Sequence, residues 1–305
     1  MFLKKAENLL HTPYYIAVLA FITILCWFLD VFIVGMIIFA AIFSFVLLFY
    51  KDTTPLIPII VLCTFMISRV ASEFDFSPYI IGAAPVIVIS LVLYFVLKRP
   101  KFKKGMYFYG LAAAFLAMTT AGIGFDYQID HIFTVCGLTL TAIFVYLFFN
   151  STAIQDVKHT VLNSFIAAII VSLLQILIFY LTAEDFMMAI IHKTLNLGWG
   201  ISNNVAVVLS MFLPVTFYKI FKSKYYILYI IFAFLQLIGI LFTLSRGNIL
   251  FSTAAFTAFF ILLIIISKRR FAIIITAIAI VTVLLALVMI FPDVFKPIID
   301  RFAKM

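Results

Sequence analysis

The sequence predicts an all-α, polytopic transmembrane helical bundle of about eleven spans, with the N-terminus cytoplasmic and the C-terminus extracytoplasmic. Three observations predict it. Apolar residues make up 67% of the chain and charged residues 11%, where a soluble domain carries about 45–50% and about 25%. The apolar residues form long runs close to the ~20 residues that cross ~30 Å of hydrocarbon, without the two-residue alternation of a membrane barrel. Basic residues fall in alternate connecting segments, as the positive-inside rule requires. With a mean hydropathy of +1.29, this is more apolar surface than a soluble fold hides.

Met1–His11 is short and basic, through Lys4 and Lys5, and leads into the first run. A cleaved signal peptide is not expected, because the apolar sequence continues almost unbroken to Tyr50 with no small-residue cleavage site. Leu25 before Cys26 fits a lipoprotein site poorly. Residues 13–29 and 31–50 read as a helical hairpin with a tight turn near Asp30. Further spans are expected at 54–72, 79–97, 105–125, 131–150, 160–182, 203–219, 225–244, 249–267 and 271–291. Cys26, Cys63 and Cys136 all lie inside apolar runs without ligand-like spacing, so neither a disulfide nor a metal site is expected.

Charge placement supports the count. With the N-terminus inside, 15 of the 21 basic residues lie in inner segments, including the run Lys98–Lys104 and the cluster Lys268–Arg270. Nine of the 12 acidic residues lie outside. The net charge of +9 is then mainly an orientation signal, and no nucleic-acid partner is expected. Lys98–Lys104 reads as a topology anchor with some attraction for anionic lipid.

The longest outer connection between helices is 183–204. Phe186, Met187, Ile190 and Ile191 at helical spacing suggest a short interfacial helix, and Trp199 is expected at headgroup level. Gly198, Gly200 and Ser202-Asn203-Asn204 should end this loop and cap the next helix. His192 reads as a surface residue.

One stretch carries chemistry. Gly239–Asn248 lies between two long apolar runs and places Arg246 at their junction, on the outer side of the predicted topology. Charge at membrane depth costs about 3 kcal/mol or more, so it tends to be kept for a reason. Ser245 and Asn248 are helix-starting residue types, Gly247 admits a close ligand, and Arg246 offers a fork of donors. A helix N-terminus beside an arginine suits a phosphate or diphosphate. The alternative is an arginine that merely snorkels into the headgroups. Arg69, also near the outer face, is a second candidate phosphate contact, with Glu73 and Asp75 as ordinary salt-bridge partners. Lys193, on the same face, is expected to be dispensable.

Asn203-Asn204-Val205-Ala206 leading to Leu213-Pro214, then Leu241-Phe242-Thr243-Leu244-Ser245-Arg246-Gly247, resembles the O-antigen ligase and polymerase superfamily of bacterial multispanning proteins. The resemblance covers about residues 196–305, leaving 1–195 as about seven preceding helices and the outer interfacial segment. It implies transfer or polymerisation of a glycan from an undecaprenyl-diphosphate-linked donor to a glycan or lipid acceptor, at the outer face of the bacterial cytoplasmic membrane, without metal or cofactor. Arg246 would hold the diphosphate, with Ser245, Gly247, Asn248 and Asn204 as further substrate contacts. The family continues into a large outer loop with a second arginine, a following Trp, and a His. The sequence reaches Met305 before any of these, so the expectation is the front part of a longer protein or a degenerate member. A transporter or lipid-linked glycan flippase is the alternative class; scarce charge within the helices and the lack of a visible inverted repeat speak against it.

Overall fold

The structure, a computed structural model, describes residues 2–70, 77–121 and 128–290 together with Pro292 and Lys296. Among the described residues it is all-helical. The helices are α1 (Phe2–Leu10), α2 (Pro13–Phe28), α3 (Phe32–Phe49), α4 (Leu56–Cys63), α5 (Ser77–Lys98), α6 (Tyr107–Ala121) and α7 (Gln128–Thr152). They continue as α8 (Val157–Leu181), α9 (Phe186–Ile191), α10 (Ser202–Lys222), α11 (Tyr226–Phe242), α12 (Arg246–Ile266) and α13 (Arg270–Ile290). The only β feature among them is an isolated bridge between Asn196 and Ile201. Among the described residues five helices, α3, α8, α10, α12 and α13, are long and apolar enough to cross a membrane.

The chain divides into two compact units, one of residues 1–12, 37–59 and 77–160, the other of 13–36, 60–76 and 161–305. The segment 196–305 thus lies wholly in the second unit, which also takes in earlier parts of the chain.

In the first unit α6 packs along α7. Its main polar anchor is Asp52, 5% exposed. The Asp52 carboxylate accepts hydrogen bonds from the amide and hydroxyl of Thr54 (3.0 and 2.6 Å) and from the amides of Ile154 and Gln155 (2.9 and 3.1 Å). A buried carboxylate is tolerable because each lone pair it turns inward meets a donor.

In the second unit α10 packs on α11 and α12, and α11 also packs on α13. Large apolar side chains cover the outside of this unit as well as its core, and small polar ones are buried among them. On α12, Leu250, Phe251, Leu262 and Ile265 are exposed, while Ser252 is fully buried. Ser252 shares a hydrogen bond with Ser210 of α10 at 2.6 Å. Gln236 of α11, also fully buried, accepts from the Thr216 hydroxyl at 2.9 Å and donates to the Leu209 carbonyl. That carbonyl lies five residues before Pro214, whose missing amide leaves the adjacent Ser210 carbonyl without its helical donor. Small polar residues inside and large apolar ones outside are what helices surrounded by lipid require.

Several elements differ from expectation. Residues 2–10 form a helix where only a basic leader was foreseen; its apolar residues recur at three- and four-residue spacing. The span expected over 54–72 is much shorter. Helix α4 ends at Cys63 and tightens into a 3-10 turn at Thr64–Met66, with Ile67 extended (ψ 115°). The Phe65 carbonyl, freed at this break, accepts from Gln175 Nε2 of α8 at 2.7 Å. The turn at Asp30 is where expected, with Asp30 in the left-handed region (φ 56°).

Candidate functional site

The site begins with how α11 joins α12. Helix α11 closes at Phe242, and Thr243 donates its hydroxyl back to the Ile240 carbonyl at 2.6 Å. Leu244 then turns left-handed (φ 51°), a conformation that a non-glycine residue adopts at a cost. Burial holds it there, since Leu244 is 2% exposed and belongs to the same core cluster as Ile240 and Ile249. Ser245 occupies the N-cap of α12, and its carbonyl accepts from the Ile249 amide at 2.9 Å.

Ser245 has the residue type and position of a cap, yet its hydroxyl does not cap the backbone. It accepts from Asn248 Nδ2 at 2.9 Å. The amides of Arg246, Gly247 and Asn248 therefore have no partner among the described residues, which leaves the positive end of α12 unsatisfied. Gly247 keeps the approach clear: a Cβ placed there would meet nothing within 4 Å. The exposed Arg246 guanidinium likewise makes no hydrogen bond or ion pair among the described residues.

These groups line an open depression of about 590 Å³, together with Lys193, Asn203 and Leu244. Among the described residues, no acidic one lines it. Lys193 Nζ donates to Asn203 Oδ1 at 2.7 Å, and the Asn203 carbonyl faces Asn248 Nδ2 at 3.4 Å. A short chain of hydrogen bonds thus runs from Lys193 through Asn203 and Asn248 to Ser245. Among the described residues its lining holds two cations, no carboxylate and three amides that bond to nothing in the protein, which makes the depression electropositive.

Of the residues expected at the site, Ser245, Arg246, Gly247 and Asn248 come together. Asn204 is exposed but does not line the depression; its neighbour Asn203 does. The expected capping role is also corrected, because α10 starts at Ser202 with Ile201 at the N-cap and no side-chain cap. Both asparagines thus sit within the first turn. Lys193, expected to be dispensable, is part of the site.

Lys193 is brought there by a fold-back of the chain. The Asn196 side chain accepts from the Gly198 amide at 2.9 Å, and Gly198 turns left-handed (φ 82°). The Leu197 amide meets the Gly200 carbonyl at 3.0 Å, and the Ser202 amide meets the Leu195 carbonyl at 3.1 Å. The Asn-Leu-Gly-Trp-Gly run carries turn residues that announce such a reversal, but not which side chain it delivers.

Arg69 lies elsewhere in the same unit. It lines a second depression, of about 720 Å³, with Asp30, Ser68, Glu184, Asp185 and His192 among its neighbours. The carboxylates there give Arg69 an acidic setting unlike that of Arg246; Glu73 and Asp75 lie outside the described residues. Asp185 is engaged as the N-cap of α9, accepting from the Met188 amide at 2.9 Å. Of the predicted α9 face, Ile190 is fully buried and Ile191 is exposed. Trp199 is tied into the protein as well as facing outward. It is half-buried, donates from Nε1 to Gln175 Oε1 at 2.8 Å and stands edge-on to Phe65 at 4.7 Å.

Taken together, the described residues form helices long and apolar enough to cross a membrane, and the second unit carries an open depression lined by Arg246 and Lys193. No family model, curated protein or solved structure matches the chain.

Proposed function

We propose that this chain is a membrane-embedded glycan transferase of the O-antigen ligase and polymerase type. It would act on an undecaprenyl-diphosphate-linked donor at the outer face of the bacterial cytoplasmic membrane. The observation that carries this reading is the start of α12, where Arg246 and Lys193 line one open depression and the first three backbone amides have no partner among the described residues. In the reaction an acceptor hydroxyl attacks the anomeric carbon, the bond from that carbon to the diphosphate oxygen breaks, and the diphosphate leaves with the bonding electrons. The acceptor's proton passes to a base. Charge develops on the leaving diphosphate, and fixed donors aimed at it lower the barrier without reorganising.

The topology in this proposal has eleven crossings. Five helices have the full length, and six shorter apolar ones supply the rest. The shortest of these, Leu56–Met66, covers about 16 Å as a helix, roughly half of the hydrocarbon. Extended chain beyond it is tolerable where protein groups satisfy the backbone, as Gln175 does at Phe65. The orientation rests on the ends of the second unit. At one end Arg269 donates to the Ser223 carbonyl at 3.1 Å and covers the Tyr226 ring, so two basic turns lie side by side. Asp30, Glu184 and Asp185 gather around a different depression, beside the loop that carries Lys193.

The test is glycan transfer in cells whose only copy is the variant, with protein accumulation followed in parallel. Arg246→Lys and Arg246→Ala should each lose roughly ten- to hundredfold of transfer, the equivalent of one charge-assisted contact, at normal protein level. Normal transfer by Arg246→Ala would leave the arginine a headgroup anchor and remove the basis for this function.

A further inference from the structure

A different surface, in the first unit, has the features of a ligand site. Helix α5 ends at Lys98 because Pro100 disfavours a helical conformation for the residue before it. Arg99 leaves the helix left-handed (φ 46°). It lines an open groove of about 440 Å³ with Phe95, Pro100, Phe102 and Phe144.

The aromatic wall is fixed by packing. Phe95 stacks on Phe102 at 5.6 Å, and Phe144 stacks on the buried Phe148 at 6.0 Å. The loop that carries Phe102 is held to α7, since the Lys103 amide donates to the Ser151 hydroxyl at 2.8 Å and Asn150 Nδ2 donates to the Lys103 carbonyl at 2.7 Å. The groove is thus built on held elements.

Among the described residues no acidic one lines the groove. Lys98, Arg99, Lys101, Lys103 and Lys104 crowd into seven residues, and no acidic residue occurs between Asp75 and Asp126. Asp52, the buried carboxylate of the same unit, is committed to the Thr54, Ile154 and Gln155 donors. The exposed Arg99 guanidinium has no hydrogen-bond or ion-pair partner among the described residues. A topology signal needs only the charges. It does not need an arginine in a strained conformation beside a groove of phenyl rings.

We infer that this groove binds an acidic phospholipid, with its phosphodiester on Arg99 and an acyl chain along Phe95, Phe102 and Phe144. The apolar floor selects a lipid over a free anion, and the cation selects an acidic headgroup over a zwitterionic one.

The test uses the whole chain in mild non-ionic detergent, with bound lipid counted by native mass spectrometry. Phosphatidylglycerol should bind at least about fivefold more tightly than phosphatidylcholine with the same acyl chains. Arg99→Asn removes the charge but keeps a residue that tolerates the left-handed region, and it should abolish most of that preference. Phe102→Ala, at an exposed wall position, should weaken binding of both lipids. Lys51→Gln, a cation of the same unit outside the groove, should change neither. Equal binding of the two lipids would overturn the inference, as would an unchanged preference in Arg99→Asn. So would a loss in Lys51→Gln as large as in Arg99→Asn, or displacement of the lipid by inorganic phosphate at matched concentration.

Discussion

Gln175 holds Trp199 by its side-chain oxygen and the Phe65 carbonyl by its side-chain nitrogen, at 2.8 and 2.7 Å, while itself fully buried. One amide thereby satisfies both the broken end of the short α4 segment and the indole of the folded-back loop. Gln175→Leu conserves volume but strands a buried carbonyl and a buried indole N–H. Each stranded group costs about 1–3 kcal/mol. The variant should unfold several degrees below wild type in detergent, whereas Trp199→Phe, which strands only the Gln175 oxygen, should cost less. In the double variant the two losses should not add, and simple additivity of melting shifts would show that the contact contributes nothing.

Two glycines of the same unit should respond in opposite ways. A Cβ on Gly198 would run into the Ser68 and Ile67 carbonyls, and its backbone is left-handed. Gly198→Ala should therefore loosen the loop, read as faster trypsin cleavage at Lys193 and a lower melting temperature. Gly247 has open space around it, so Gly247→Val should leave stability within about 0.5 kcal/mol. If it acts at all, it acts on ligand approach, and transfer should fall while the melting temperature stays.

How much of this was legible in the sequence depends on the range of the interaction. The long apolar helices were plain, because burial in lipid acts on every residue of a run and needs no partner. The break at Cys63–Met66 was not, because its satisfying group, Gln175, lies 110 residues away from Phe65. The Ser245–Asn248 turn was legible from residue types alone. Asn203 and Lys193 were not, since only the reversal at Asn196–Ile201 decides which of two adjacent asparagines meets the lysine. The partner of Trp199 was hidden for a related reason, since Gln175 lies 24 residues away. An indole reads as a headgroup anchor until a buried acceptor is found for it.

The orientation can be read directly. Single cysteines at Lys101 and Lys222 should resist a membrane-impermeant thiol reagent in intact cells, and cysteines at Met188 and Lys296 should react, after subtraction of wild-type labelling. Met188 is 49% exposed, so lack of reaction there cannot come from burial. The reverse pattern would turn the Arg246 depression toward the cytoplasm, away from any outward-flipped donor.

Lys193 gives the sharpest test, because sequence and structure disagree about it. By position it is one more loop cation on the outer face. By geometry it is the second charge of the Arg246 depression, fixed by its 2.7 Å bond to Asn203. Its backbone is left-handed (φ 56°), so an alanine there would confuse strain with charge. Lys193→Asn removes the charge and keeps a residue that tolerates this conformation. If the two cations share a diphosphate, Lys193→Asn should lower transfer about tenfold, one charge-assisted contact of roughly 1.5 kcal/mol or more. Lys193→Arg should keep most activity, and both proteins should accumulate normally. The loss in a Lys193→Asn, Arg246→Ala double variant should be smaller than the product of the single losses, because neither charge then has a neighbour to act with. Full transfer by Lys193→Asn would restrict the diphosphate site to Arg246 and the amides of α12.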